Sequence, residues 1–368
     1  MAGAPKSLDT QPACRFNGSA MATSSPCTLV TKDTIQEFDL KWPGGAKGST
    51  HELVISRSAI YVSGQTMGYV AQFDFNGALV RHIPLLDAQG ASLYPHGLLL
   101  DSQERLWVSL ENVGQVVRLD ENGQIAESID VTMHVNGSAK PINPAPHGIC
   151  LGSDGETIWF TGKRTSTAGR INPDRSVEHF EINTLASMPI FFQAGLGGDV
   201  WGTELLGNSI LRIAPDGRIQ ETAIPTANSR PIGIIPSPSG DAMWFTEEAG
   251  RKVGKVTLDG KGQASIAEFP VPLQNPNDIL GSLSFDRTGA LWVQVYGPMS
   301  SMGHSHTPDY LVRLAPSIQQ AKPGDAIPFE VHFAQSSCSM MHRIRLDHLS
   351  NLWFTEMHTD KLGKVTLS

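Results

Sequence analysis

One pattern recurs seven times along this chain of 368 residues, and it limits the possible folds more than any other feature. In each copy an apolar run leads to a tight turn, such as Asp154-Gly155, and then to a strand that opens on an aromatic residue. The aromatic anchors lie 46, 52, 42, 43, 48 and 61 residues apart and are Tyr61, Trp107, Trp159, Trp201, Trp244, Trp292 and Trp353. A four-stranded propeller blade occupies about 40 to 50 residues. The repeat therefore predicts an all-β protein, a seven-bladed β-propeller.

The two ends of the repeat indicate how the ring closes. The last copy stops at Ser368, directly after its third strand, whereas residues 34–40 have the pattern of a fourth strand with no first three strands before it. We expect this N-terminal strand to complete the C-terminal blade, because such closure leaves no open sheet edge. The propeller then covers residues 34–368, and residues 1–33 form an N-terminal extension.

Composition narrows the choice of partners. Charged residues make up only 17% of the chain, the net charge is −8, and no basic block stands out. Nucleic acid and anionic membrane surfaces are therefore not expected partners. A membrane span is not expected either, because no run of about 18 apolar residues occurs. We expect a monomer that acts on a small molecule.

The N-terminal extension bears on cell location and redox state. Glycosylation sequons at Asn17 and Asn136 slightly favour a secreted chain, its signal already removed, over a cytoplasmic one. Cys14 and Cys27 either form a disulfide that staples the extension or are two free thiols.

The strand order of a propeller blade identifies a functional face from the numbering alone. The residue that opens the first strand lies on the same face of the ring as the residue that ends the second. The opening positions, 10 to 12 residues before the anchors, hold His51, His96, His147, Ile190, Ile232, Gly281 and His342. Because blade 7 adjoins blade 1, the four histidines form one continuous arc. Each could singly be a strand cap in a structural turn, but the arc as a whole favours function.

The residues that end the second strands are mostly polar, and they are expected on the same face of the ring as the histidines. They include Glu111, Lys163, Glu204, Glu247, Glu248 and Glu356. Carboxylates beside imidazoles can hold a hard divalent cation or set the pKa of a general base. A solvated acidic rim is the alternative, above all for Glu247 and Glu248. The strongest pair is His342 with Glu356, 14 residues later, and His358 follows two residues after that.

An insertion at residues 297–309 lies between strands two and three of blade 6, on the same face. It carries His304 and His306 and is either a lid over the channel or a surface loop, since His-X-His alone is weak evidence of a metal site. The catalytic candidates are His342, His51, His96 and His147. The candidates for substrate binding are Glu111, Lys163, Glu204, Tyr296, His304, His306 and His358.

Three phrases of the repeat resemble the virginiamycin B lyase (streptogramin B lyase) family. They are Pro-His-Gly-Ile at 146–149, Trp-Phe-Thr-Glu at 244–247 and 353–356, and the third strand Leu-Gly-Lys-Val at 362–365. The resemblance covers residues 34–368. It implies a seven-bladed propeller that opens a cyclic depsipeptide lactone by elimination, with Mg²⁺ at the channel mouth. It also implies that His342 is the base and that Glu356 is a metal ligand.

The chain departs from the family pattern at two positions. Met340 stands where the family has a further acidic metal ligand, and Gly281 stands where it has a substrate-binding histidine. These departures suit a relative that acts on a different small molecule, with the missing roles taken over by His51, His96, His304 and His306.

The resulting hypothesis is a lyase-type enzyme. A histidine at the channel mouth removes a proton next to a carbonyl, and a C–O bond of a small molecule or cyclic depsipeptide lactone breaks. The alternatives are a biosynthetic dehydratase or cyclase acting on a secondary metabolite, a metal-dependent lactone hydrolase, and a non-catalytic propeller that binds a ligand or protein. Product mass separates elimination from hydrolysis, because only hydrolysis adds a water.

Overall fold

A computed structural model describes residues 27–30, 35–45, 48–135, 137–298 and 308–367. Its strands form seven separate sheets, and each sheet contains the four antiparallel strands of one blade. The predicted all-β, seven-bladed propeller is confirmed. Within the described ranges, no helix has the length and apolar character needed to cross a membrane.

The strands of each blade follow in order from the channel outward. Blade 1 comprises Thr50–Ile55, Ile60–Gly64, Tyr69–Phe73 and Leu79–Pro84. Blade 2 comprises Pro95–Leu100, Leu106–Leu110, Gln115–Leu119 and Ile125–Asp130. Blade 3 comprises Pro146–Leu151, Ile158–Gly162, Thr167–Ile171 and Val177–Glu181. Blade 4 comprises Pro189–Ala194, Val200–Glu204, Ser209–Ile213 and Ile219–Ala223.

Blades 5 to 7 continue the pattern. Blade 5 comprises Pro231–Pro236, Met243–Glu247, Lys252–Leu258 and Ala264–Pro270. Blade 6 comprises Ile279–Phe285, Leu291–Tyr296, Tyr310–Leu314 and Phe329–Phe333. Blade 7 comprises Met341–Leu346, Asn351–Glu356, Lys361–Thr366 and, as its outer strand, Ile35–Asp39. Short 3₁₀ turns lie at Leu196–Gly198 and Pro316–Gln320.

The ring closes as the sequence predicts. Ile35–Asp39 pairs antiparallel with the third strand of blade 7, with Ile35 opposite Val365 and Asp39 opposite Lys361. The carboxylate of Asp360 then accepts five hydrogen bonds from Trp42, Gly48, Ser49 and Thr50, the segment that leads into blade 1. The seam between the last and first blades is therefore closed by strand pairing and by a buried carboxylate.

The repeat pattern follows from how the blades pack. Each tryptophan anchor is buried, and a cation from the third strand of the same blade lies 5.0 to 6.0 Å from its ring centroid. The six cations are Arg118, Arg170, Arg212, Lys255, Arg313 and Lys364. Such contacts stabilise the ring face while the long stem of the cation covers apolar surface. This explains why the third strand mixes basic and apolar residues.

One strand was not predicted. Cys27–Val30 pairs parallel with Phe329–Phe333 and adds a fifth, outermost strand to blade 6. The N-terminal extension lacks the strand pattern of the repeat, so the sequence predicts no strand there. Cys14, Asn17 and Asn136 lie outside the described residues, so the Cys14–Cys27 disulfide and the two sequons stay predictions.

Candidate active site

The four histidines of the predicted arc converge at one end of the channel. The ring centroids of His51 and His96 are 4.9 Å apart, and those of His51 and His342 are 5.1 Å apart. The ring of His147 lies 3.5 Å from that of His96. The structure thus brings together His51, His96, His147 and His342, which are up to 291 residues apart in sequence. We call these residues the histidine cluster.

A hydroxyl in the preceding blade holds the backbone at two of these positions, His51 and His147. The first strand of each blade has a register shift next to its opening residue. In blade 7, the hydroxyl of Thr355 accepts a hydrogen bond from the backbone N–H of Arg343 (3.0 Å) and donates one to the carbonyl of His51 (2.7 Å). Ser109 of blade 2 donates in the same way to the carbonyl of His147 (2.9 Å). Bulges of this kind are common next to active sites, where they redirect a side chain.

Backbone carbonyls fix the tautomers of two members. Nδ1 of His51 lies 2.8 Å from the carbonyl of Ser49, and Nδ1 of His147 lies 3.0 Å from the carbonyl of Ile190. Since a carbonyl can only accept, each Nδ1 carries the proton and each Nε2 keeps a free lone pair. His96 differs, because it is 1% exposed and neither of its ring nitrogens has a hydrogen-bond partner among the residues that the structure describes.

Burial keeps three of the histidines neutral. It lowers the pKa of His51 to about 3, with the nearby His342 contributing in the same direction. Burial also lowers the pKa values of His96 and His147 well below the ordinary value, helped by the charges of neighbouring histidines and of Lys163. Groups with such low pKa values are weak bases at neutral pH. His342 is the most exposed member, with 16% of its side chain accessible, and is therefore the best placed to accept a proton.

The carboxylate that contacts His342 is Glu52, which the sequence analysis missed. Its Oε1 lies 3.3 Å from Nδ1 of His342, an ion-pair distance, although the two atoms are not aligned as a hydrogen bond. Its Oε2 pairs with the guanidinium of Arg343, which lies over the ring of Phe191. Although burial opposes ionisation, Arg343 and His342 hold the pKa of Glu52 well below its usual range. The cluster therefore contains a buried, ionised carboxylate.

The repeat itself contains a signal that Glu52 has a special role. The equivalent position, directly after the opening residue, is glycine in blades 2, 3 and 5, at Gly97, Gly148 and Gly233. A charged residue where the repeat has glycine marks a local change of role. Its partner could not be deduced, because Arg343 lies 291 residues away in sequence.

Glu356, which the sequence pairs with His342, makes its side-chain contacts elsewhere. It lies at the same end of its hairpin as His342, since it pairs with Met341. Its carboxylate, however, accepts a hydrogen bond from Thr359 (2.5 Å), and no ion pair within the described part of the chain joins it to His342. Burial and the neighbouring Glu37 raise its pKa to about 8. The structure therefore pairs His342 with Glu52 and not with Glu356.

The described residues do not fit the Mg²⁺ site that the resemblance implies. Mg²⁺ prefers oxygen ligands in octahedral geometry. Here Oε2 of Glu52 pairs with Arg343 and its Oε1 lies 3.3 Å from His342. Met340 replaces the further acidic ligand and packs against the apolar core. Oε2 of Glu356 is bonded to Thr359, and its Oε1, which has no hydrogen-bond partner among the described residues, belongs to a carboxyl group whose pKa of about 8 makes it a poor ligand at neutral pH.

Packing between blades explains why position 281 is a glycine. A Cβ atom at this position would lie 2.6 Å from the carbonyl oxygen of Met341 in blade 7. Real Cβ atoms do not approach so closely, so blade 6 has no room here for the histidine that the family pattern places at this position.

Some of the other predicted residues border the cluster, some lie elsewhere, and two are outside the described residues. Glu111 accepts from Lys163 Nζ (3.0 Å) and from Gln65 (2.5 Å), and this pair borders the cluster because Lys163 influences the pKa values of its histidines. Tyr296, at the end of the second strand of blade 6, donates to Glu248 (3.4 Å). The pKa of Tyr296 is raised by burial. His304 and His306 lie outside the described residues.

Glu204 and Glu247 are not at a solvated rim. Both are fully buried, their carboxyl oxygens have no hydrogen-bond partner among the described residues, and burial raises the pKa of each to about 8. Glu248 is also buried and pairs with Arg230. The acidic-rim alternative for Glu247 and Glu248 is therefore wrong. His358, also predicted to bind substrate, lies with Nδ1 3.4 Å from the carbonyl of Cys338.

Fold and site together define a seven-bladed propeller with a histidine cluster and a buried carboxylate at one end of its channel. A family model described as the virginiamycin B lyase family matches residues 56–305. The chain therefore belongs to the virginiamycin B lyase family and is a lyase-type enzyme. The matched segment contains His96 and His147, whereas His51 and His342 flank it.

Individual relatives agree with this assignment. A virginiamycin B lyase of Nocardia farcinica is 27% identical over 217 residues, which are 52% of this chain and 73% of that protein. A streptogramin B lyase structure superposes with a TM-score of 0.72 at 21% identity, covering 91% of this chain and 97% of that chain. The selenomethionine-substituted virginiamycin B lyase of Staphylococcus aureus gives 0.71 at 25% identity, covering 91% and 99%. A catalytically inactive variant of that enzyme, at 24% identity with a TM-score of 0.71 over the same shares of the two chains, was solved with quinupristin.

Proposed function

We propose that the protein opens the ring of a cyclic depsipeptide or related lactone by elimination at the histidine cluster. Nε2 of His342 takes the proton from the carbon next to a carbonyl, and the electron pair left behind forms a carbon–carbon double bond. The bond between the adjacent carbon and the lactone oxygen breaks, and the oxygen leaves as part of a carboxylate. No water is consumed, so the product has the mass of the substrate.

The observation that carries this proposal is the contact between His342 and Glu52. A carboxylate 3.3 Å from Nδ1 orients the ring and faces the side of the imidazole opposite to Nε2, the nitrogen that takes the proton. The other three histidines are buried and neutral, so they are poorer bases. The positive charge of Lys163 lowers the pKa of His147 in the cluster. The same charge would stabilise the negative charge that develops on the carbonyl oxygen of the substrate.

The test compares variants on quinupristin and on unrelated lactones, with product mass as the readout. We expect His342→Ala to lower kcat by about 10² to 10⁴, because general-base catalysis contributes that much. Glu52→Gln should lower kcat with little change in KM. The losses from Glu52→Gln and His342→Ala should not add in the double variant, since base and orienting group act as one unit.

Controls separate catalysis from folding. His348→Ala changes an exposed histidine outside the cluster and should retain full activity. Each variant is checked by thermal unfolding, since Glu52→Gln also removes a charge from a buried ion pair. Full activity in a folded His342→Ala variant, or a product heavier by one water, would overturn the proposal. The second result would indicate a lactone hydrolase instead.

A further inference from the structure

We infer that His51, His96 and His342 form a binding site for a divalent ion of the Zn²⁺, Co²⁺ and Ni²⁺ class. One ring nitrogen of each of the three lies within 4.8 Å of a ring nitrogen of the other two. The inference goes beyond the proposed function, because it depends only on the positions of the three imidazoles. It replaces the Mg²⁺ site that the resemblance implies and these residues do not fit.

His96 gives the first independent observation. It is 1% exposed, and within the described part of the chain both of its ring nitrogens lack a hydrogen-bond partner. Leaving a buried polar group unpaired is unfavourable. A metal ion bonded to one nitrogen would use the lone pair that nothing else in its surroundings engages. A buried and unpartnered imidazole among other imidazoles is therefore the feature expected of a ligand in its free state.

The acceptors next to Nδ1 of His51 and His342 give the second observation. Histidines that bind metals usually donate their other N–H to a carbonyl or a carboxylate, which fixes the ring and raises its basicity. His51 has this arrangement through the carbonyl of Ser49 at 2.8 Å. Nδ1 of His342 faces the carboxylate of Glu52 at an ion-pair distance of 3.3 Å, without the alignment of a hydrogen bond. In both cases an acceptor lies next to Nδ1, so Nε2 is the nitrogen left to bind.

The ligand type selects the class of ion. Imidazole nitrogens suit Zn²⁺, Cu²⁺ and Ni²⁺, whereas Mg²⁺ and Ca²⁺ require oxygens. Three histidines with a fourth position open to water or to a substrate oxygen is a known arrangement for zinc. Zn–N bonds of about 2.0 to 2.1 Å place tetrahedral ligand nitrogens roughly 3.3 Å apart. The three side chains therefore have to rotate inward by a small amount on binding.

The site makes a prediction about activity. His342 supplies both a metal ligand and the base of the proposed elimination, and one Nε2 lone pair cannot serve both at once. Bound Zn²⁺ should therefore inhibit the elimination reversibly, and removal of the ion by a chelator should restore it.

The test uses the full chain without a histidine tag, stripped with a chelator and then titrated with Co²⁺ and Zn²⁺. We expect one ion per chain, visible absorption from cobalt in a low-symmetry nitrogen site, and no comparable binding of Mg²⁺. His96→Gln should weaken binding about 100-fold or more, since it removes one of three ligands. His348→Gln, which changes an exposed histidine elsewhere, should bind like the parent protein.

The outcomes separate this inference from the proposed function. Equal Zn²⁺ affinity in the parent protein and a folded His96→Gln variant, or binding of Mg²⁺ alone, would overturn the metal site and leave the elimination mechanism intact. If Zn²⁺ binds through the three histidines but raises lyase activity, the metal site stands and His342 is not the free base. Inhibition that is relieved by a chelator supports both.

Discussion

At the residue scale, the site depends on which charges the fold allows to be buried. Glu52 is ionised because Arg343 lies against it, whereas no cation of the described residues forms an ion pair with Glu204 or Glu247, which retain their protons up to a pKa of about 8. The same residue type thus serves as an orienting anion at the channel and as a neutral group inside blades 4 and 5. Contacts across the ring decide between these two states.

Glu204 should therefore make stability depend on pH. Its ordinary pKa of 4.5 is raised to about 8 in the folded protein by burial, so the folded state binds a proton that the unfolded chain releases above about pH 4.5. The stabilisation is complete below that pH and is lost as pH rises through 8. In Glu204→Gln the free energy of unfolding should fall less steeply between pH 5 and 8, by up to about 1.4 kcal/mol per pH unit. Denaturant unfolding at several pH values measures this.

An exposed residue provides the matched comparison. Glu156→Gln removes a carboxylate at the surface of blade 3 and should leave the pH slope of unfolding as it is in the parent protein. Identical slopes for the parent protein and Glu204→Gln would show that Glu204 is already ionised in the folded state, against the buried neutral form described above.

The sequence predicted these residues only in part. The histidine cluster was predictable because equivalent positions in a repeat face the same way, so numbering alone placed four histidines at one end of the channel. The numbering also placed Glu356 at the correct end of its hairpin, but it does not tell which side of the sheet a carboxylate faces. The partner of Glu52 was not predictable, because the contact forms only when blade 7 closes against blade 1.

At the scale of elements, hydroxyls on three of the second strands, those of Ser109, Thr203 and Thr355, donate to a backbone carbonyl of the next blade. Thr355 joins Arg343 of its own blade to His51 of the next blade. Blade 6 uses the amide of Gln294 instead, which accepts from Ser282 N–H and donates to the carbonyl of Arg343. The repeat therefore preserves a donor and acceptor at this position rather than one residue type.

Thr355→Val tests this connection. Valine keeps the shape of threonine but leaves the N–H of Arg343 and the carbonyl of His51 unpaired in a buried place. We expect a loss of about 1 to 3 kcal/mol in stability, together with a lower kcat because His51 and His342 lose their fixed positions. Thr366→Val, at an exposed position in the same blade, is the control. Unchanged stability and activity in Thr355→Val would show that the hydroxyl is not needed.

The strand at Cys27–Val30 shows where sequence analysis of elements fails. The blade strands were predictable because each has turn residues and an anchor at a fixed distance. Cys27–Val30 has no such repeat context, and it forms by pairing with the open edge of blade 6. Whether an edge accepts another strand depends on the edge, which lies about 300 residues further along the chain.

At the scale of the whole molecule, the histidine cluster spans the seam of the ring. His342 belongs to the last blade and His51 to the first, and the salt bridge between Glu52 and Arg343 crosses the same boundary. The seam is held by the outer strand Ile35–Asp39 and by the hydrogen bonds of Asp360. Ring closure and assembly of the site are thus one structural event.

Ile35→Ala should therefore weaken the whole ring and not only its N-terminal strand. Ile35 is 2% exposed and packs in the core between blades 6 and 7, so the truncation should cost about 2 to 5 kcal/mol. We expect a single unfolding transition at lower temperature, with the loss of tryptophan burial and of lyase activity occurring together. Val80→Ala, at a residue 58% exposed in the outer strand of blade 1, should change stability by no more than about 0.5 kcal/mol. If Ile35→Ala frayed only its own strand, with the main transition and the activity of the parent protein, closure and site assembly would be separate after all.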